Sequence, residues 1–79
     1  MKLWLISQNE NNDYGAYNSA VVAAKTEAEA RITMPDKYER FGQPHGAWCS
    51  GPDKVKVKLI GEAVANTRAG VIVASFNAD

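Results

Sequence analysis

Cysteine, histidine and net charge are what this chain has least of, and each shortage removes a class of protein. Cys49 stands alone, so no disulfide can form within the chain, and a disulfide-stapled secreted fold is excluded. His45 is the single histidine. One His and one Cys fall short of the roughly four ligands of a structural zinc site. Nine Lys and Arg balance nine Asp and Glu. That is neither the basic profile of a typical nucleic-acid module nor the acidic profile of a disordered polyanion. No apolar run approaches the ~20 residues of a membrane span, and the N-terminal run Leu3 to Ile6 is too short for a signal peptide. A reducing cytoplasm is the simplest expected address. The glycines are scattered through turns, with no loop that would cradle a phosphate.

What remains is an ordinary folded composition: 79 residues, 46% hydrophobic and 23% charged, which predicts one small α+β domain over residues 1–79. A core this small needs most of its large apolar side chains for itself. A second copy of the chain would add buried area.

Leu3 and Leu5 alternate with Trp4 and Ile6, which predicts a strand covered on both sides. A polar loop, Gln8 to Gly15, leads to a second strand over about Ala16 to Ala24, so the two form a hairpin with a long tip. Thr26-Glu27-Ala28-Glu29 is a capping-box pattern that starts a helix at Glu27; Pro35 limits it to about two turns, through Ile32. Residues 33–53 hold all three prolines, Pro35, Pro44 and Pro52. A connection this long is unusual. A helical turn around Asp36 to Arg40 would shorten it, and some of Tyr38, Phe41 and Trp48 should pin it to the body. Val55, Val57 and Leu59 alternate with Lys54, Lys56 and Lys58, placing the lysines on an outer face. Gly61 marks a candidate bulge, residues 66–70 a turn, and Val71 to Phe76 a last strand apolar on both faces. The order is β-β-α-β-β in a small four-stranded sheet. Placing the two doubly apolar strands centrally and the lysine strand at an edge predicts the strand order 2-1-4-3.

No residue set assembles a reaction centre, and no catalytic, cofactor or metal residues are expected. His45 and Cys49 have a His-x-x-x-Cys spacing that leaves a thiol dyad open; the plainer reading is a buried Cys beside Trp48 and a surface His. Glu27 and Glu29 are explained by capping, Glu10 and Asp13 by a solvated loop, and Asp36 and Glu39 by interleaving with Lys37 and Arg40. Lys54, Lys56 and Lys58 would meet about three phosphates, with Tyr38 or Trp48 stacking a base; the plainer reading is a solvated sheet face.

The segments Met1-Lys2-Leu3-Trp4-Leu5-Ile6-Ser7-Gln8, Tyr17-Asn18-Ser19-Ala20-Val21-Val22-Ala23-Ala24 and Gly70-Val71-Ile72-Val73-Ala74-Ser75-Phe76-Asn77-Ala78 resemble a family of small, mostly uncharacterised phage and prophage proteins. The resemblance implies a phage-borne protein acting in the bacterial cytoplasm and carries over no catalytic residues. Many phage proteins of this size and charge inhibit host defence by binding a host protein, anti-CRISPR proteins prominently among them. The expectation is therefore a non-enzymatic inhibitor that occludes a surface of a host defence complex, with a CRISPR-Cas effector subunit as the expected kind of partner. Tyr14, Tyr38, Phe41 and Trp48 would be its aromatic anchors, with Lys37, Arg40, Lys54, Lys56 and Lys58 as steering charges. The alternative is a nucleic-acid-binding phage accessory protein using the lysine face; an enzyme built on Cys49 comes last.

Overall fold

The computed structural model describes residues 1–11, 15–35, 41–42 and 46–77. Its order is β1 (Lys2–Ser7), β2 (Ala16–Ala24), α1 (Glu27–Arg31), a 3-10 turn (Pro52–Lys54), β3 (Lys56–Glu62) and β4 (Gly70–Asn77). The strands form one sheet in the order β3-β1-β2-β4. All three strand pairs are antiparallel. This is the expected α+β class, and the expected β1–β2 hairpin and the lysine-bearing β3 at an edge are both there.

The expected strand order 2-1-4-3 is wrong. β4 lies at the far edge beside β2, not between β1 and β3. Composition explains why. β2 is rich in alanine, and Ala16, Ala20, Ala23 and Ala24 are all buried. A strand so deeply buried has little water for its backbone, so hydrogen-bonded neighbours on both sides satisfy its amides and carbonyls. Apolar residues on both faces of β4 were a signal of exposure rather than of a central place: Val71, Ile72 and Val73 are all exposed.

Cross-strand partners share a face. Trp4 lies opposite Val22, and Ile6 opposite both Ala20 and Val57. This face carries the core, closed by Ala24, Ala30, Trp48, Cys49 and Val55, with Tyr17, Met34, Phe41, Val57 and Ala74 packed around it. Trp4 also donates from Nε1 to the carbonyl of Ala24 at 3.0 Å. The other face of β1 carries Leu3 and Leu5, which stay half-buried. The expectation that β1 is covered on both sides therefore fails for this face. A five-residue helix offers the sheet one buried side chain, Ala30, and can cover one side only.

The helix starts as its capping sequence dictates. Thr26 accepts from the Glu29 amide at 3.2 Å. The reciprocal arm reaches one residue further back, with Glu29 Oε2 accepting from the Lys25 amide at 3.3 Å. Ile32 is the C-cap rather than a helical residue, so the helix is shorter than two turns. Arg31 ties the helix to the start of β3, donating to the carbonyls of Val55 and Pro52 and pairing with Glu27 at 3.4 Å.

The bulge falls where Gly61 announced it. Leu3 opposes Gly61 and Trp4 opposes Leu59, leaving Ile60 as the extra residue. The link from β3 to β4 turns at Asn66, whose φ of 70° is left-handed, as asparagine tolerates. The turn closes with the Thr67 amide donating to Val64 O at 3.2 Å.

Candidate functional site

The sheet face opposite the core is the candidate site. Register places Leu3 with Ala23 and Gly61, Leu5 with Val21 and Lys58, and Ser7 with Ser19 and Lys56 on it. From β4 it takes Val73, opposite Val21, and Ser75, opposite Ser19. Leu5, Ser19, Val21, Val73 and Ser75 line a shallow groove of about 140 Å³, to which Ala20 and Ala74 also contribute. Val73 is 59% exposed. Lys56 and Lys58 are both exposed and border the apolar strip from β3. An apolar groove with cations along one margin is suited to a partner surface that offers aliphatic or aromatic side chains beside acidic groups.

The expected site residues scatter. Lys56 and Lys58 share the open face as expected. Lys54 does not join them, because it ends the 3-10 turn before β3 begins. Its charge instead helps to hold the Glu10 carboxylate. Leu59 keeps the core-side phase of Trp4 but is 51% exposed. Trp48, only 4% exposed, is spent on the core, and Phe41 packs against the same cluster half-buried. These two aromatics pin the long connection instead of presenting themselves to a partner, since a core this small takes the largest apolar surfaces first. Tyr14, Lys37, Tyr38, Arg40, Asp13 and His45 lie outside the described residues, as does the expected helical turn at 36–40.

The connection is also held by a polar staple that the loop composition concealed. Gln8 is buried, and its side chain makes four hydrogen bonds. Nε2 donates to the carbonyls of Asn11 (2.7 Å) and Tyr17 (2.9 Å), while Oε1 accepts from the amides of Glu10 (2.8 Å) and Asn11 (2.7 Å). The loop so shaped aims Asn11 Nδ2 at the carbonyls of Gly46 and Trp48. Glu10 accepts from the Ser50 amide at 2.6 Å and the Ser50 hydroxyl at 2.9 Å. The Tyr17 amide donates to Ala47 O at 2.7 Å. Gly42, with φ +70°, closes the connection on itself by donating to Cys49 O. Glu10, expected in a solvated tip, is thus committed to an internal contact.

The bonds from Ser50, hydroxyl first and amide second, with Lys54 assisting, pull the Glu10 carboxyl below its ordinary value. A carboxyl lowered on folding contributes stability that is present above the unfolded pKa and is lost as pH falls through the folded one. Glu10→Gln is therefore expected to flatten the acid limb of a Tm-against-pH curve below about pH 4.5. A limb identical to that of the parent chain would contradict the staple.

Cys49 is 2% exposed, and its Sγ lies 3.5 Å from Gly51 O. Burial pushes the thiol above its ordinary pKa. A thiol so placed is a small core residue, not a poised nucleophile. Alkylation by iodoacetamide at neutral pH is expected to be on the order of 100-fold slower than in denaturant. Equal rates would contradict the burial.

Among the described residues no cluster of three or more His, Cys, Asp or Glu has metal-holding geometry, and no helix is long and apolar enough to cross a membrane. No family model, curated protein or solved structure matches the chain.

Proposed function

We propose that this protein works by binding, its open sheet face covering a surface on a partner protein, in the manner of a phage-borne inhibitor of a host defence complex. One observation carries the reading. The core side of the sheet is closed by α1 and the long connection, while the opposite side leaves an apolar groove between Leu5, Val21 and Val73, with Lys56 and Lys58 beside it. Contiguous apolar surface rimmed by polar residues marks interaction sites on small soluble domains. The resemblance of the strand segments to small phage proteins supplies the setting, and a CRISPR-Cas effector is the partner class it suggests. The long connection, stapled through Gln8, Glu10 and Asn11, braces the sheet from behind. Such a surface is pre-organised and loses little entropy on docking.

The test is binding of the purified chain to a purified effector complex, with competition by target DNA. Retention with loss of DNA binding supports occlusion. No retention at ~10 μM, the weak end of specific affinity, sinks the effector as partner. The same purified chain decides the nucleic-acid alternative, which has two strand lysines rather than three to work with. Affinity for DNA that falls steeply with salt, and is lost in Lys56→Glu/Lys58→Glu, would support that alternative and count against the protein partner.

A further inference from the structure

We infer that β4 is a self-association edge, along which two copies of the chain pair antiparallel about a two-fold axis into one continuous eight-stranded sheet. The two outer edges of the sheet are built differently. β3 carries Lys56, Lys58 and Glu62, the kind of charge that keeps an edge from pairing. β4 spans Gly70–Asn77 without one charged residue or proline, yet it is the other free edge. Val71, Ile72 and Val73 are 38%, 53% and 59% exposed along it. Val21 opposes Val73 and Val22 opposes Val71, so Ile72 is the extra residue of a bulge. A second register shift, with Asn18 of β2 as the extra residue, falls opposite the step from Ser75 to Phe76; the stretch of β4 beyond Ile72 that is available for pairing is 73–77, centred on Ser75.

Two arguments favour a second copy as the occupant. An antiparallel edge is self-complementary: a two-fold axis beside Ser75 brings each strand against its own twin, with Ser75 facing Ser75. Pairing also closes. It consumes both unguarded edges and leaves a lysine-bearing β3 at either end, so growth stops at two. The chain has no net charge to drive copies apart. Val73 and Ser75 belong both to this edge and to the groove, but pairing uses the backbone groups of β4 and leaves the open face uncovered, so sedimentation tests the inference apart from the proposed function.

Sedimentation equilibrium of the full chain at ~100 μM, a concentration that populates even a weak dimer, is expected to give twice the 8.6 kDa chain mass. Ser75→Lys sets two lysines face to face at the axis and is expected to halve that mass. Ser75→Glu is expected to do the same, and an equimolar mixture of the two to restore the dimer, because unlike charges then meet. Ser75 is exposed, so circular dichroism should be unchanged. Leu59→Lys, on the β3 edge, is expected to leave the dimer intact. A wild-type chain of single mass, an open-ended ladder of masses, or a dimer indifferent to both Ser75 variants would overturn the inference.

Discussion

Replacing Trp48 by alanine is expected to cost about 3–5 kcal/mol, measured by urea denaturation with Trp4 fluorescence and far-UV circular dichroism as probes. A domain of this length has about 4–12 kcal/mol in all, so the variant should lose about a quarter or more of its stability and unfold at a markedly lower urea concentration. Trp48 is the one very large side chain that the long connection contributes to the core. Removing it leaves a cavity between the connection and the sheet and frees the connection's fully buried aromatic anchor, leaving half-buried Phe41 to hold it. The conservative variant separates packing from hydrogen bonding. Trp48 Nε1 is buried with no acceptor among the described residues. Trp48→Phe therefore sacrifices no hydrogen bond and removes an unpaired buried donor, and it is expected to cost about 1 kcal/mol or less. Trp4→Phe is the contrast. It breaks the bond to Ala24 O and leaves that carbonyl unpaired in the core, an additional loss of about 1–3 kcal/mol. Equal costs for the two phenylalanine variants would show that this hydrogen-bond assignment is wrong.

The second large effect is expected at Gln8. Its amide joins the end of β1 to the start of β2 and shapes the tip from which Glu10 and Asn11 reach the long connection. Gln8→Ala withdraws partners from two carbonyls and two amides at once. A cost of about 2–4 kcal/mol follows, short of the full sum because water can reach part of the site. Gln8→Glu is nearly the same shape but turns the donor into an anionic oxygen facing the carbonyls of Asn11 and Tyr17. It is expected to destabilise strongly at neutral pH and to recover in part as the introduced carboxyl protonates, since burial beside two carbonyls favours its neutral form. Urea midpoints of both variants at pH 7 and pH 5 check this. A Gln8→Glu chain as stable as the parent at pH 7 would contradict the network.

What could be read in the sequence depended on how local the controlling physics was. The start of α1 was legible because Thr26 and Glu29 act on backbone groups within four residues. The phase of β3 was legible because alternation has a single period, and Lys56 and Lys58 landed on the open face as their spacing required. Strand order was not. β1 and β4 are both apolar on both faces, but β1 sits at the centre and β4 at the edge. The deciding feature was the need of alanine-rich β2 for a neighbour on each side, which is a property of the whole sheet. The open face was half legible. Leu3 and Leu5 showed a second apolar face on β1, but nothing local says whether another layer lies over it. That some aromatics of the connection would pin it to the body was legible, but not that Trp48 would be the buried one. Trp48 and Phe41 look alike on paper whether they face a core or a partner, and only the placement of Cys49 and Val55 beside Trp48 settles that they face inward. The staple at Gln8 was hidden altogether, because glutamine in a polar loop carries no signal until the carbonyls it meets are in position.

The open sheet face is the proposed working surface, and one measurement reaches it most directly: phage plating on bacteria with an active CRISPR defence, with and without this chain. The probing variant is Leu5→Gln/Lys58→Glu, two side chains opposite each other on that face. Its control is Ile32→Glu, at the end of α1 and 61% exposed. Plating should rise with the wild-type chain and with the control and stay low with the face variant, all three chains being equally folded. No rise with the wild type, or a face variant as active as the control, would contradict it.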